Sequence, residues 1–199
     1  MTKYILVVLF ICVFVLTLGC ENQENTDCLQ NIPLDSSGEY LGFSDVPDLI
    51  YYSVEDAKED GCFVIYHTEV LENYNVWENF VNKSIKKENS YIRIVYPSLD
   101  KNSAESVLDL YYLDGHYYLF DFNAQDKNSE LYSHLLILSA NSDNPNIGQR
   151  FIVLSNDKSL TFETLKNKIY SSKAEFSDSV ESAKAKKNYR IIMWDLKQN

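Results

Sequence analysis

Residues 107–122 read Val107-Leu-Asp-Leu-Tyr-Tyr-Leu-Asp-Gly-His-Tyr-Tyr-Leu-Phe-Asp-Phe122, and this stretch decides the fold. Two runs of apolar and aromatic residues, 107–113 and 116–122, flank the dipeptide Asp114-Gly115. Asp-Gly between two such runs is typical of a tight β-hairpin, because both turn positions need a positive φ angle that these residues tolerate. The sequence therefore predicts two antiparallel strands here, with side chains alternating between two faces.

The chain on both sides of the hairpin has the pattern of further strands. From Ser90 the apolar residues recur with a period of two, so that Ile92 and Ile94 face one way while Arg93 faces the other. Together with the hairpin arms, apolar runs of strand length predict about seven strands that are mostly sequential. The remaining runs lie at 62–67, 90–96, 131–140, 151–155 and 189–194.

Several segments carry helix signals. Ser53 precedes Asp56 by three residues and Gly61 follows, which is typical of a short helix with a capping box and a C-terminal glycine. Segments 76–87 and 161–171 have apolar residues at helical spacing, and 175–187 is predicted as a more polar helix. The predicted fold class is α+β, a mainly antiparallel β-sheet meander of about six or seven strands packed with three or four helices.

The N-terminal twenty residues have the composition of an export signal. Lys3 is followed by an unbroken apolar run, Tyr4 to Leu18, and then by Gly19 and Cys20. The alternatives are ordinary secretion and an uncleaved transmembrane anchor, although a bilayer-spanning helix needs about twenty apolar residues. Either way, the positive charge before the run and the acidic residues after it predict that the chain beyond Cys20 is exported.

The segment Leu16-Thr-Leu-Gly-Cys20 resembles the lipobox of bacterial lipoproteins. It departs from the strict form at Thr17, where leucine is preferred. The resemblance implies cleavage before Cys20 and attachment of lipid, including palmitate, to that cysteine. The expected location is the extracytoplasmic side of the cell membrane. We expect a signal peptide at 1–19, a flexible tether at 20–39 and a single α+β globular domain at 40–199.

The charge balance limits the partners. The chain has a net charge of −11, and a surface that binds nucleic acid needs patches of Lys and Arg. The same acidity disfavours electrostatic docking on anionic lipid. We therefore expect no nucleic acid partner, and contact with the membrane through lipidated Cys20 alone.

The remaining cysteines form an even pair in an exported protein. Cys12 lies within the signal and Cys20 is the expected lipid site, which leaves Cys28 in the tether and Cys62 in the domain. In an oxidising compartment such a pair predicts a disulfide, and the alternative is two free thiols. Neither cysteine has the Cys-x-x-Cys spacing of a redox or zinc site.

Residues able to do chemistry are few and without diagnostic spacing. The chain has no P-loop, no Gly-x-Ser-x-Gly and no His-Glu-x-x-His, so the sequence predicts no cofactor. A metal site or a histidine base paired with a carboxylate is one interpretation, and ordinary strand histidines with solvent-facing aspartates are the other. The residues that these two interpretations concern are His67, His116, His134, Asp109, Asp114 and Asp121. We expect none of them to be catalytic, and we expect no metal site.

Tyrosine is unusually frequent, with fifteen in the chain. Two tyrosine pairs in the hairpin, Tyr111-Tyr112 and Tyr117-Tyr118, make its solvent side a candidate ligand face. The alternative is cross-strand aromatic pairing that stabilises the sheet.

Three segments resemble one known family. Val54-Glu-Asp-Ala-Lys-Glu-Asp-Gly-Cys-Phe-Val-Ile65, Trp77-Glu-Asn-Phe80 and Ile92-Arg-Ile-Val95 are similar to small bacterial lipoproteins carrying a domain of unknown function, the 4362 type. The similarity would cover residues 50–165. The family has no established activity, so the resemblance implies a lipoprotein with an α+β domain and no site residue.

Together these features favour a lipid-anchored binding module without catalysis of its own. Its expected ligand is an envelope glycan, a peptide or a protein partner. One alternative is an envelope hydrolase that uses Asp and His residues of the sheet. Another is an accessory subunit of a membrane complex.

Overall fold

A computed structural model describes residues 32–66, 69–124, 128–140, 147–175 and 188–198. Within these ranges the chain has a mixed α+β fold of two mostly antiparallel sheets and three helices, which confirms the predicted class. The helices are α1 (Val54–Glu59), α2 (Tyr74–Ile85) and α3 (Phe162–Glu175). The strands are β1 (Phe63–Tyr66), β2 (Glu69–Glu72), β3 (Ser90–Pro97), β4 (Ala104–Leu113), β5 (His116–Asp121), β6 (Glu130–Tyr132), β7 (His134–Ser139), β8 (Ile147–Ser155) and β9 (Tyr189–Gln198).

The larger sheet is built around the predicted hairpin. Its strand order is β2-β1-β3-β4-β5-β6, and neighbours are antiparallel except for the parallel pair β1 and β3. Leu113 pairs with His116 across the turn, and Asp114 and Gly115 have φ angles of 50° and 84°. Both turn residues therefore have the positive φ that a two-residue hairpin requires.

A second sheet of three strands, in the order β7-β8-β9, uses the remaining described strands. The predicted single strand at 131–140 is divided at Ser133 into β6 and β7, which belong to different sheets. The Ser133 backbone N–H donates to Oδ1 of Asn156 at 2.9 Å. This bond to a side chain satisfies the backbone donor where the strand leaves one ladder for the other.

Strand β2 and the start of α2 differ from the sequence prediction. The run Glu-Val-Leu-Glu that forms β2 is short and acidic at both ends, so its sequence does not predict a strand. In the structure it is an edge strand, where charged residues are common. Helix α2 begins at Tyr74, after Asn73 in the left-handed conformation (φ 57°). The Asn73 side-chain amide donates to the carbonyls of Lys58 and Cys62. A polar helix was predicted at 175–187. Glu175 is the last residue of α3, and 176–187 lie outside the described residues.

Helix α1 follows its local sequence. The Asp56 N–H donates to Ser53 Oγ, and the Ser53 N–H donates to the Asp56 carboxylate, both at 3.1 Å. This reciprocal pair is the predicted capping box. Gly61 follows with a φ angle of 74°.

The large sheet is buried on both faces. Its inner face packs against α2 and the three-stranded sheet, with Ile92, Ile94, Leu108 and Leu110 among the buried residues. Its outer face is covered by residues 32–53 and α1. Alternation along β4 places Leu108 and Leu110 inside and Val107 and Asp109 outside. The predicted division of β3 into two faces is confirmed by the same clusters.

Polar contacts of Tyr96 and Arg190 help to join the three-stranded sheet to the large one. The Tyr96 hydroxyl on β3 donates to the Ile192 carbonyl on β9 at 2.7 Å. Arg190 Nη2 lies 2.6 Å from the Asp121 carboxylate at the end of β5. The opposite face of the small sheet packs against α3 through Phe151, Val153 and Leu165.

The packed domain starts earlier than the predicted boundary at Tyr40. The compact unit runs from Ile32 to Asn199, and Leu34 forms an isolated β-bridge with Tyr40. The Leu41 N–H donates to the Pro33 carbonyl at 2.8 Å, so residues 32–39 belong to the domain and not to the tether. Residues 1–31, which include the predicted signal, lie outside the described residues. None of the described helices is long and apolar enough to cross a bilayer.

Candidate ligand-binding groove

The hairpin tyrosines do not form an exposed face. Tyr111, Tyr112 and Tyr117 are 6%, 5% and 7% exposed, and Tyr118 is half-buried. Tyr112 pairs with Tyr117 on the inner face with ring centroids 4.8 Å apart, and Tyr111 pairs with Tyr118 on the outer face. Both faces of the sheet are covered. The prediction that these tyrosines form a solvent-exposed ligand face is therefore wrong. Cross-strand pairing accounts for these rings.

Asp109 is the centre of a buried polar network on the outer face. Its side chain is fully buried, so the expectation that it points to water is wrong. Its Oδ2 accepts hydrogen bonds from the Tyr40 hydroxyl (2.7 Å) and Arg93 Nη2 (2.9 Å). Its Oδ1 accepts from the Tyr91 hydroxyl (2.9 Å) and Arg93 Nε (2.8 Å). Four donors therefore satisfy one carboxylate, as a buried charge requires.

The surroundings of the network keep Arg93 and the tyrosine hydroxyls protonated. Burial lowers the pKa of Arg93, but the hydrogen bond and charge of Asp109 outweigh it and raise that pKa. Burial, followed by the charge of Asp109, raises the pKa of Tyr40 far above its ordinary value. Burial raises the pKa of Tyr111 to about 12, and its hydroxyl lies 2.8 Å from that of Tyr40. The tyrosines stay protonated, so the network holds the fold and offers no free base.

The same network attaches residues 40–45 to the sheet. Arg93 Nη1 contacts both carboxylate oxygens of Asp45 at 3.0 and 3.1 Å, and Nη2 donates to the Gly42 carbonyl. A Cβ at Gly42 would overlap the ring and hydroxyl of Tyr40. Only glycine therefore allows the chain to pass this close to Tyr40.

Asp121 does not form an acid–base pair with Asp109. Asp109 is opposite Phe120, whereas Asp121 is opposite Leu108, so the two carboxylates leave opposite faces of the hairpin. Asp121 binds Arg190 instead. Strand alternation therefore prevents these two carboxylates of the hairpin from acting as a pair.

Among the described residues, neither His116 nor His134 is hydrogen-bonded to a carboxylate as a catalytic base would be. His116 is exposed beside the hairpin turn, and its Nδ1 lies 3.1 Å from the Asp114 backbone carbonyl and not from a carboxylate. His134 is half-buried at the start of β7, and His67 lies outside the described residues. In the part of the chain that the structure describes, no three His, Cys, Asp or Glu residues are grouped to hold a metal ion.

Cys62 is buried and only 3% exposed. The structure gives it as a free cysteine, with Sγ 3.4 Å from the Tyr52 hydroxyl. Burial raises the pKa of its thiol, which makes it a poor nucleophile. Its predicted partner Cys28 and the predicted lipid site Cys20 lie outside the described residues, so both assignments stay predictions.

A groove of about 460 Å³ lies between α2 and the three-stranded sheet, and we call it the α2 groove. One wall is a helical row with the spacing i, i+3, i+4, i+7 and i+8. The other wall is the inner face of the small sheet, and β2 contributes one residue. The lining residues are Val70, Tyr74, Trp77, Glu78, Val81, Asn82, Ile137, Arg150, Ile152 and Met193.

The α2 groove has an apolar floor and a mixed rim. Trp77, Ile152 and Met193 are 4%, 5% and 4% exposed, whereas Tyr74 and Ile137 on the rim are 46% and 55% exposed. Ile137 pairs with Ile152, and Ile152 pairs with Met193, so the sheet wall is one cross-strand row. Small-molecule sites are typically concave and apolar with a few polar groups, at roughly 300–1,000 Å³. This groove has that composition and size.

A second cleft of about 410 Å³ lies beside Arg93 and is bordered by Asp45, Asp60 and Cys62. Its cation is already held by Asp45 and Asp109. The cleft therefore has less to offer a ligand than the α2 groove.

Sequence reasoning missed the α2 groove. Its walls come from β2, α2, β7, β8 and β9, and no local pattern brings those elements together. One signal was available in the sequence, because β7 is an apolar run without a charged residue. In the structure, Ile137 of this run is exposed at the groove.

Comparison with known proteins gives no match, whether with family models, with curated proteins or with solved structures. The resemblance noted in the sequence therefore stays a prediction.

Proposed function

We propose that this protein is a lipid-anchored, extracytoplasmic binding protein that holds a peptide in the α2 groove and catalyses no reaction of its own. The observation that carries the proposal is the groove itself, which has a buried apolar floor between two walls and an exposed rim. Exposed Tyr74 and Ile137 on its rim provide apolar contact area for a ligand.

The chemistry of the lining residues favours a peptide over a glycan. A peptide offers apolar side chains for a floor made of Trp77, Ile152 and Met193, and its backbone offers donors and acceptors for Asn82 and Glu78 on the rim. A sugar instead stacks on an exposed aromatic face, and among the described lining residues the exposed ring is that of Tyr74. The peptide therefore uses more of the surface that the groove presents.

The anchor is supported by the N-terminal sequence. Lys3, the apolar run Tyr4 to Leu18 and the Gly19-Cys20 pair together resemble a lipoprotein signal. A lipid on Cys20 would attach an acidic domain to a membrane that its charge does not attract. The role of the domain is then to present the groove outside the cytoplasmic membrane.

The hydrolase alternative receives no support from the described geometry. Asp109 has its acceptor positions filled by Tyr40, Tyr91 and Arg93, and Asp121 is paired with Arg190. Neither carboxylate is left available as a base. The alternative of an accessory subunit assigns no role to Asp109 or Asp121. A protein partner that inserts a peptide segment would use the same groove.

The binding test uses the full chain in detergent micelles and a library of random peptides displayed on phage. Ile137→Arg places a charge on the groove rim, and Leu99→Arg is its control, because Leu99 is 81% exposed and does not line the groove. Losing burial of one isoleucine against the ligand costs about 1.5–3 kcal/mol, which weakens the selected peptides about tenfold or more. Leu99→Arg should bind them normally. A library without binders, or equal binding by both variants, would refute the proposed function.

A further inference from the structure

We infer that the peptide is bound in extended form, as an added strand on the open edge of β7, and that its apolar side chains are flanked by basic residues. This inference rests on the proposed function and specifies how the ligand is recognised. It is carried by the composition of β7, by its position at the groove and by the charge of the protein.

The sequence of β7 sets it apart from the other edge strands. Among the described residues the two sheets end in β2, β6, β7 and β9. Strands β2, β6 and β9 all contain charged residues, whereas β7 reads His-Leu-Leu-Ile-Leu-Ser and has no Lys, Arg, Asp, Glu or Pro. Charges and prolines are the usual protection of an edge against pairing with another chain, so β7 is the least protected edge.

The geometry of β7 is also suited to strand addition. It pairs with β8 in an unbroken register from His134 to Ser139, whereas the pairs β1–β2, β3–β4 and β8–β9 contain register shifts. Bulges twist an edge away from a partner, and the regular register of β7 leaves its edge straight. Among the described residues, no bulge interrupts the register of β7 along which an incoming strand would pair.

The position of β7 connects this edge to the α2 groove. Its Ile137 lines the groove and is 55% exposed. Side chains of an added strand alternate between the two faces of the sheet. Every second side chain of the peptide would therefore lie beside Ile137 at the rim of the groove, and the floor residues Ile152 and Met193 follow one and two strands further in. Backbone pairing then supplies affinity and the groove supplies selectivity.

The charge of the protein selects among the occupants of such an edge. The chain carries a net charge of −11, so a second copy that approaches β7 meets electrostatic repulsion. A peptide with basic flanks is attracted by the same field. The described lining of the groove contains one carboxylate, that of exposed Glu78, and one guanidinium, that of Arg150. The occupant is therefore a cationic, apolar peptide and not another copy of this chain.

The test is an N-methylation scan of the tightest peptide from the phage library, measured against the full chain in detergent. Methylating an amide removes a backbone donor and blocks pairing on that side. For an added strand, we expect methylation at alternate residues to weaken binding about tenfold and methylation at the intervening residues to have little effect.

The scan separates this inference from the proposed function. A peptide that binds in the groove but shows no alternation would refute strand addition and leave the binding function intact. A library without any binder would refute both. A dimer of the full chain that dissociates when Ile137 becomes Lys would assign the edge to a second copy and also refute the inference.

The charge component has its own pair of variants. Glu78→Gln removes the carboxylate on the groove wall, and Glu88→Gln removes an exposed carboxylate just beyond α2 that does not line the groove. We expect the first to weaken the selected peptide about two- to fivefold, and the second to leave its affinity unchanged. Selection of acidic peptides, or affinity that increases with salt, would refute the cationic partner.

Discussion

Arg93 and Asp109 are direct cross-strand partners in β3 and β4, and they form a two-point ion pair in which Nε and Nη2 lie 2.8 and 2.9 Å from the two carboxylate oxygens. Asp109 is fully buried, and the Arg93 side chain is 12% exposed. The pair lies under residues 40–45, which it binds through Asp45 and Gly42. Stability of the outer layer therefore depends on two charges that must remain together.

Asp109→Asn should destabilise the protein strongly. The substitution keeps the shape of the side chain but removes the buried counter-charge of Arg93, whose other carboxylate partner, Asp45, is exposed. Breaking a buried pair costs about 3–5 kcal/mol. Urea unfolding monitored by tryptophan fluorescence measures the loss. The matched control is Asp114→Asn in the exposed turn, which should stay within about 0.5 kcal/mol because asparagine tolerates the positive φ there. Equal midpoints for the two variants would contradict the role given to the pair.

Alkaline pH should destabilise the protein through Tyr111. Burial raises the pKa of Tyr111 to about 12 from an ordinary value of 10.0, so the unfolded chain releases this proton first. The contribution is intact below pH 10 and is lost as the pH increases from 10 to about 12. The free energy of unfolding, measured by urea titration across this range, should decrease with pH. The decrease should be shallower in Tyr111→Phe, and an identical slope in both proteins would contradict the assignment.

The Cys62 thiol should react slowly in the folded protein. It is 3% exposed and burial raises its pKa, so little thiolate is available to a reagent. In a Cys12→Ser, Cys20→Ser, Cys28→Ser background, a chromogenic disulfide reagent should label Cys62 slowly in buffer and rapidly in urea. Fast labelling of the folded protein would contradict its burial. Mass spectrometry of the unreduced parent chain separately tests the predicted Cys28–Cys62 bridge.

Lipid attachment should depend on Cys20 and not on Cys28. Cys20→Ala removes the cysteine that the resemblance to a lipobox assigns to lipidation, whereas Cys28→Ala changes a cysteine in the neighbouring polar segment. In cells of a lipoprotein-processing bacterium, the parent chain and Cys28→Ala should partition into the detergent phase, and the mass of their N-terminal peptide should include acyl chains. Cys20→Ala should lose both properties. Acyl chains on Cys20→Ala would refute the assignment.

Local signals predicted the parts of the fold that local chemistry decides. Asp114-Gly115 predicted the hairpin because the turn depends on two φ angles, and Ser53 with Asp56 predicted α1 because a capping box spans one turn. The alternation through Ile92 and Arg93 predicted which side chains share a face of β3. In each case the residues that decide the structure are close in sequence.

Features that depend on distant segments were not predictable in the same way. Asp109 looks like a solvent-facing strand residue, and it is buried because Tyr40, 69 residues away in the chain, covers it. The hairpin tyrosines are buried for the same reason, since both faces of their sheet are covered. The α2 groove requires two sheets and a helix to meet, and no single segment encodes that meeting.

The close approach of Gly42 to Tyr40 has an evolutionary consequence. Any larger residue at 42 would displace the Tyr40 ring, remove a donor from Asp109 and leave Arg93 with one carbonyl fewer. Substitutions at these four positions are therefore coupled, and a lineage that loses one should lose the others with it. The spaced set Tyr40-x-Gly42, Arg93 and Asp109 is thus a signature by which distant homologues would be recognised after the rest of their sequences had diverged.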